Sequence, residues 1–99
     1  MRYLSFDLGE GDDGISMLEA LAATPAAEHA AVLAEVQQVL AWTWRAFPDS
    51  HGPADDGGHW DHDLQVVVEP GGWHAVTLTL TGSPTFVEEF CAAFPKAAG

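Results

Sequence analysis

The chain has 99 residues, 47% of them hydrophobic and 10% aromatic, which is the composition of one small globular domain and excludes wholesale disorder. Fifteen acids face three bases, Arg2, Arg45 and Lys96, for a net charge of −12, and a field of that sign repels phosphate backbones and anionic headgroups, excluding nucleic acid and membrane surfaces as partners. No apolar run reaches the length of a membrane span, no basic start leads into the apolar core of a secretory signal, and the single cysteine, Cys91, forms no internal disulfide, so the expected setting is cytoplasmic.

Residues 2–8 alternate, with Leu4, Phe6 and Leu8 on one side and Tyr3, Ser5 and Asp7 on the other, which predicts a half-buried strand. Gly9-Glu10-Gly11-Asp12-Asp13-Gly14 follows as a turn. Its glycines resemble a phosphate loop only superficially, because three acids oppose an anion and no Gly-Lys-Ser/Thr ending is present. Residues 15–23 fit two descriptions. Met17, Leu18, Glu19, Ala20 and Leu21 are good helix formers, yet Ile15, Met17, Glu19 and Leu21 also fit a two-residue period in the position of a returning hairpin strand.

Thr24-Pro25 reads as an N-cap with proline at the first helical position, and it opens the clearest element. From Pro25 to Phe47 there is no internal proline or glycine, and Val32, Val36, Val39, Leu40, Thr43 and Phe47 form an apolar stripe. Glu28, Glu35, Gln38 and Arg45 take the opposite face, with Trp42 near it, and Pro48 ends the helix. Residues 49–59 form a long polar loop. Residues 60–69 then alternate, with Trp60, His62, Leu64, Val66 and Val68 on the core side. Pro70-Gly71-Gly72 turns the chain, and residues 73–82 return with Val76, Leu78 and Leu80 inward. Ser83-Pro84 caps a second helix with the stripe Phe86, Val87, Phe90 and Phe94, stopped by Pro95.

The halves resemble each other: Thr24-Pro25 to Phe47-Pro48 matches Ser83-Pro84 to Phe94-Pro95. Since the second helix follows a hairpin, the same arrangement for the first makes 15–23 a strand. The expected fold is then a single α+β domain over residues 1–99 of order β-β-α-β-β-α, a four-stranded mainly antiparallel sheet with both helices on one face. If 15–23 is helical, the alternative is a three-stranded β-α-β-β-α arrangement of ferredoxin-like type.

For function, the segment from His51 to Asp63 is the only dense polar constellation. His51, Asp55, His59 and Asp61 form its best candidate metal set, since imidazole and carboxylate are ligands of zinc, nickel, copper or manganese. His62 is expected on the opposite, core side. The spacing fits no established metal motif, and a polar loop with locally bonded histidines is the simpler account. Cys91, beside the apolar stripe with no basic neighbour, reads as a small core residue, and His29 as helix-edge packing. Trp42, Val67, Trp73, Thr77 and Thr79 fall on faces the pattern turns outward and constitute a candidate interaction surface. With no catalytic signature and no cofactor motif, the expectation is a non-catalytic protein-interaction or regulatory module, a homodimer or the partner of a basic protein. The alternative is a metal-binding protein or metal-assisted hydrolase using the His51–Asp63 segment. A nucleic-acid-mimicking decoy stands third, requiring regularly spaced acids on one face.

Overall fold

The computed structural model describes residues 2–10, 14–48, 51–52 and 60–95. Its elements run β1 (Phe6–Glu10), β2 (Ser16–Pro25), α1 (Ala26–Ala46), β3 (Trp60–Val68), β4 (Trp73–Gly82) and α2 (Pro84–Ala93). The strands make one antiparallel sheet in the order β1-β2-β4-β3, so the fold is the four-stranded β-β-α-β-β-α arrangement. The ambiguous segment is a strand, paired with β1 and β4 along its length. Both its faces carry apolar side chains, which blurs its two-residue period. Leu18, Ala20 and Ala22 are buried against the helices, whereas Met17 and Leu21 are exposed on the other face.

The core lies between the sheet and the helices. Phe6, Leu18, Ala20, Val76, Leu78 and Leu80 meet Val32, Val36 and Val39 of α1 and Phe86 and Phe90 of α2, all fully buried. Pro70-Gly71-Gly72 closes the β3–β4 turn with Gly71 and Gly72 at φ 89° and 84°, values that disfavour any residue with a Cβ.

The two helices repeat each other at their C-termini but not at their N-termini. Phe47 and Phe94 share one C-cap conformation (φ −133°, ψ 64° and φ −128°, ψ 62°), and each donates its N–H to the carbonyl four residues earlier at 2.9 Å. At the α2 start, Ser83 Oγ accepts from the Phe86 N–H at 3.2 Å, a true N-cap. Thr24 is not the expected cap. β2 continues to Pro25 and passes directly into α1, so Thr24 is a strand residue turned inward, and its buried Oγ1 has no hydrogen-bond partner among the described residues. The strand ladder, not the capping signal, sets that boundary.

Two contacts hold the layers in register. The Glu35 carboxylate, on the polar side of α1, accepts from the backbone N–H groups of Arg2, Tyr3 and Leu4 at 3.0–3.1 Å, tying the chain before β1 to the helix. At the other end of the sheet, buried Gly82 sits directly under α2, where a Cβ would overlap the Phe86 ring. Phe86 stacks on Trp60 at 5.9 Å with an interplanar angle of 5°, and the Trp60 indole donates to the Phe47 carbonyl at 3.1 Å.

Glu35→Ala should lower stability by about 1–3 kcal/mol, the range for hydrogen bonds to a charged acceptor, whereas Gln38→Ala on the exposed side should change it by less than about 0.5 kcal/mol; urea unfolding midpoints measure both. Gly82→Ala should cost about 1–3 kcal/mol by overpacking. Adding Phe86→Leu should recover part of that loss, which a double-mutant cycle reads as a coupling between the sites.

Candidate functional site

Two surfaces combine exposure with chemistry, and both lie on β3. The first is the start of the strand. His51 forms a parallel bridge with Trp60, with the Gly52 N–H donating to the Trp60 carbonyl at 2.8 Å, so His51 lies alongside the sheet edge. Its ring packs at 4.6 Å from Trp44 and 4.5 Å from Trp60. Its Nε2 stands 3.0 Å from Asp61 Oδ1 and 3.0 Å from His62 Nδ1. Asp61 Oδ1 also accepts from the His62 backbone N–H at 2.8 Å.

This cluster differs from the expected set. His51 and Asp61 are together; Asp55 and His59 lie outside the described residues. The third member is His62, which the alternation assigned to the core side. By register His62 is on that side, opposite Leu80, with its ring near that of Trp60. It still reaches His51 because His51 sits beside an edge strand rather than above or below the sheet. From there it meets side chains of both faces, Asp61 from one and His62 from the other. Strict face-by-face sorting cannot reveal such a site.

The second surface is the remainder of β3. The strand is on the sheet edge, and its core-side residues become steadily more exposed along it. Trp60 is 1% exposed, Leu64 38%, Val66 44% and Val68 65%. Val67 on the other face is also exposed. The backbone pattern fixes which groups point outward. Trp60 turns its carbonyl to Gly52 on the edge side, and Glu69 donates its N–H to Trp73 on the β4 side. In an antiparallel ladder these directions alternate, so Leu64, Val66 and Val68 turn their N–H and C=O groups away from β4, where no strand among the described residues pairs with them. No Lys, Asp, Glu or Pro interrupts Leu64-Gln65-Val66-Val67-Val68. The opposite edge, β1, is only five residues long and carries Asp7 and Glu10, two common protections of an edge.

The candidate interaction surface divides. Val67, Trp73, Thr77 and Thr79 do share the helix-free face, Trp73 opposite Pro25, Val67 opposite Ala75, Thr77 between Leu21 and Gln65, and Thr79 between Glu19 and Asp63. Trp42 does not belong with them. It is half-buried on the helix side, with ring centroids 5.7–6.2 Å from those of Phe47, Phe86, Phe90 and Phe94. A helix in a two-helix layer buries a flank against its neighbour as well as a stripe against the sheet, and Trp42 fills that flank.

The helix-free face is itself polarised. One row across all four strands reads Asp7, Glu19, Thr79, Asp63. Asp7 and Glu19 are direct cross-strand neighbours of like charge, a locally unfavourable pairing. No Lys or Arg occurs in any strand to offset the row. Leu21, Ala23, Val67 and Trp73 lie to one side of that row and Met17 to the other. Elsewhere, His29 stacks on His74 at 4.4 Å, more than the helix-edge packing expected of it. Cys91 is half-buried against the core, as expected of a small apolar residue. Among the described residues no helix is long and apolar enough to cross a membrane. No protein-family model, curated protein or solved structure matches the chain.

Proposed function

We propose that the chain is a non-catalytic protein-interaction module that receives an extended segment of another protein as an added strand on the β3 edge. The observation behind this reading is the stretch from Leu64 to Val68, exposed on an edge strand with outward N–H and C=O groups at Leu64, Val66 and Val68. A strand added there forms main-chain hydrogen bonds for affinity and covers alternate side chains for specificity. Leaving Leu64, Val66 and Val68 uncovered forgoes about 3 kcal/mol of burial, a contribution available to a partner.

Charge selects the kind of partner. The apolar stretch is bracketed by Asp61 and Asp63 on one side and Glu69 on the other, in a chain of net charge −12. The complementary segment has a β-branched centre and basic flanks. A second copy fits less well. Antiparallel pairing of two β3 strands about Val66 sets Asp63 against Glu69, and face-to-face packing of the helix-free sides meets the row of Asp7, Glu19 and Asp63. The same charge disfavours nucleic acid and anionic membranes. A single free cysteine suits a reducing compartment, so the reading places the domain in the cytoplasm.

A short synthetic peptide of alternating threonine and valine, flanked by paired lysines, is the test. It should bind and shift the backbone amide resonances of Leu64, Val66 and Val68, while a glutamate-flanked version binds at least tenfold more weakly. Val66→Pro removes an outward N–H without a bond to β4, and Val66→Lys places a charge on the edge; each should abolish binding with the fold retained by circular dichroism. Shifts confined to Leu21, Trp73 and Thr77, binding that survives both variants, or sedimentation showing a dimer through this edge would overturn the proposal.

A further inference from the structure

We infer that His51, Asp61 and His62 form a site for a divalent late first-row cation, with zinc as the reference ion. The case is independent of the strand-addition reading and rests on the convergence of three donor atoms. His51 Nε2 lies 3.0 Å from both Asp61 Oδ1 and His62 Nδ1, and the three lie within 4.8 Å of one another. Zinc takes imidazole nitrogen at roughly 2.0–2.1 Å and carboxylate oxygen at roughly 2.0–2.2 Å, so tetrahedral donors stand roughly 3.3 Å apart. The two 3.0 Å contacts would widen slightly to that spacing and the third pair would draw in from within 4.8 Å, both by side-chain rotation.

Proton counting favours a cation over a self-contained hydrogen-bond network. With neutral imidazoles, His51 Nε2 carries either one proton or one lone pair. With a proton it donates to Asp61 or to His62, or divides one bond between them as a weaker three-centre contact. With a lone pair it accepts from His62 but faces the anionic Asp61 oxygen at 3.0 Å. Neither tautomer gives both contacts a full hydrogen bond, whereas a cation among the three atoms would take one lone pair from each.

The surroundings suit a bound ion. The His51 ring packs against both Trp44 and Trp60 at 4.6 and 4.5 Å, and its backbone is fixed to the edge by the Gly52–Trp60 hydrogen bond at 2.8 Å. Asp61 has a side-chain exposure of 35% and His51 27%, open enough for entry from solvent. The net charge of −12 raises the local concentration of cations. Two nitrogens and one oxygen favour zinc, copper or nickel over calcium or magnesium, which take oxygen sets. Three protein donors leave a fourth position for water, and the ion would clamp the chain at His51 to the start of β3.

Isothermal titration of the full chain with zinc chloride in chelator-free buffer should give one site. His51→Ala and His62→Gln should each weaken binding at least tenfold, and Asp61→Asn should weaken it less. His29→Ala, at the other imidazole pair, should leave it unchanged. Zinc should move the ring ¹⁵N resonances of His51 and His62 and leave those of His29 and His74 in place. His51 is exposed and each variant can be checked by circular dichroism, so unfolding is separable from lost ligation. No heat with zinc, copper or nickel, ring shifts at His29 and His74 instead, or undiminished affinity in the His51→Ala, His62→Gln double variant would each overturn the site.

Discussion

The arrangement depends on one constraint of connectivity, namely that α1 must return the chain from the end of β2 to the start of β3. β2 and β3 are parallel to each other with β4 between them, so the two points lie at opposite ends of the sheet. Ten residues of strand span roughly 33 Å, and a helix of 21 residues spans roughly 31 Å, so α1 is matched to the journey. It starts over β2 and finishes near β3, where Trp44 meets Trp60 and the Phe47 carbonyl takes the indole N–H. α1 therefore crosses the sheet on a diagonal. α2, only ten residues long, packs at the end where Gly82 meets Phe86.

The diagonal crowds one corner and covers another less. At the crowded corner the end of α1, the start of β3 and the start of α2 meet, and Trp60 is buried among Trp44, Phe86 and His51. The chain leaves α1 beside the β3 edge, which is why His51 meets Asp61 and His62. At the other corner α1 reaches only as far as His74, where His29 packs on the cross-strand partner of Val68, and exposure climbs from Trp60 to Val68 along one strand face. Both candidate surfaces are thus products of the same path, one where the helix arrives and one where it has not yet reached the strand's side of the sheet.

Much of the architecture was legible because its elements follow simple periods. Val32, Val36, Val39 and Thr43 announced α1, and Val76, Leu78 and Leu80 announced the inner face of β4. β2 was legible only by analogy between the two halves, since Met17 and Leu21 on the open face blur its alternation. Strand order is not written in any local pattern. The exposure of Leu64, Val66 and Val68 follows from it, so these residues read as core in a one-dimensional analysis. Glu35 is another case: its partners are amides 31–33 residues away, and nothing in a lone acid on a polar helix face distinguishes it from its neighbours. His51 and Asp61 could be nominated by residue type, but His62 needed the edge geometry.

The charge distribution gives the two surfaces different weights. Threonines and a tryptophan on a helix-free face invite the idea of sheet-on-sheet packing, and by composition alone this face is the more apolar-looking candidate. Yet Asp7, Glu19 and Asp63 run across it without a base in any strand, and desolvating three carboxylates under a flat partner is costly unless cations are supplied at fixed spacing. The β3 edge avoids that penalty, because its charges lie at the ends of an uncharged stretch, where a partner's flanking bases can meet them while still hydrated. Acidic residues next to an apolar edge also slow its pairing with other copies of the same chain, since like charges meet in each such encounter. A net charge of −12 and an exposed edge stretch from Leu64 to Val68 are therefore compatible, because like charge opposes the self-pairing that such an edge invites.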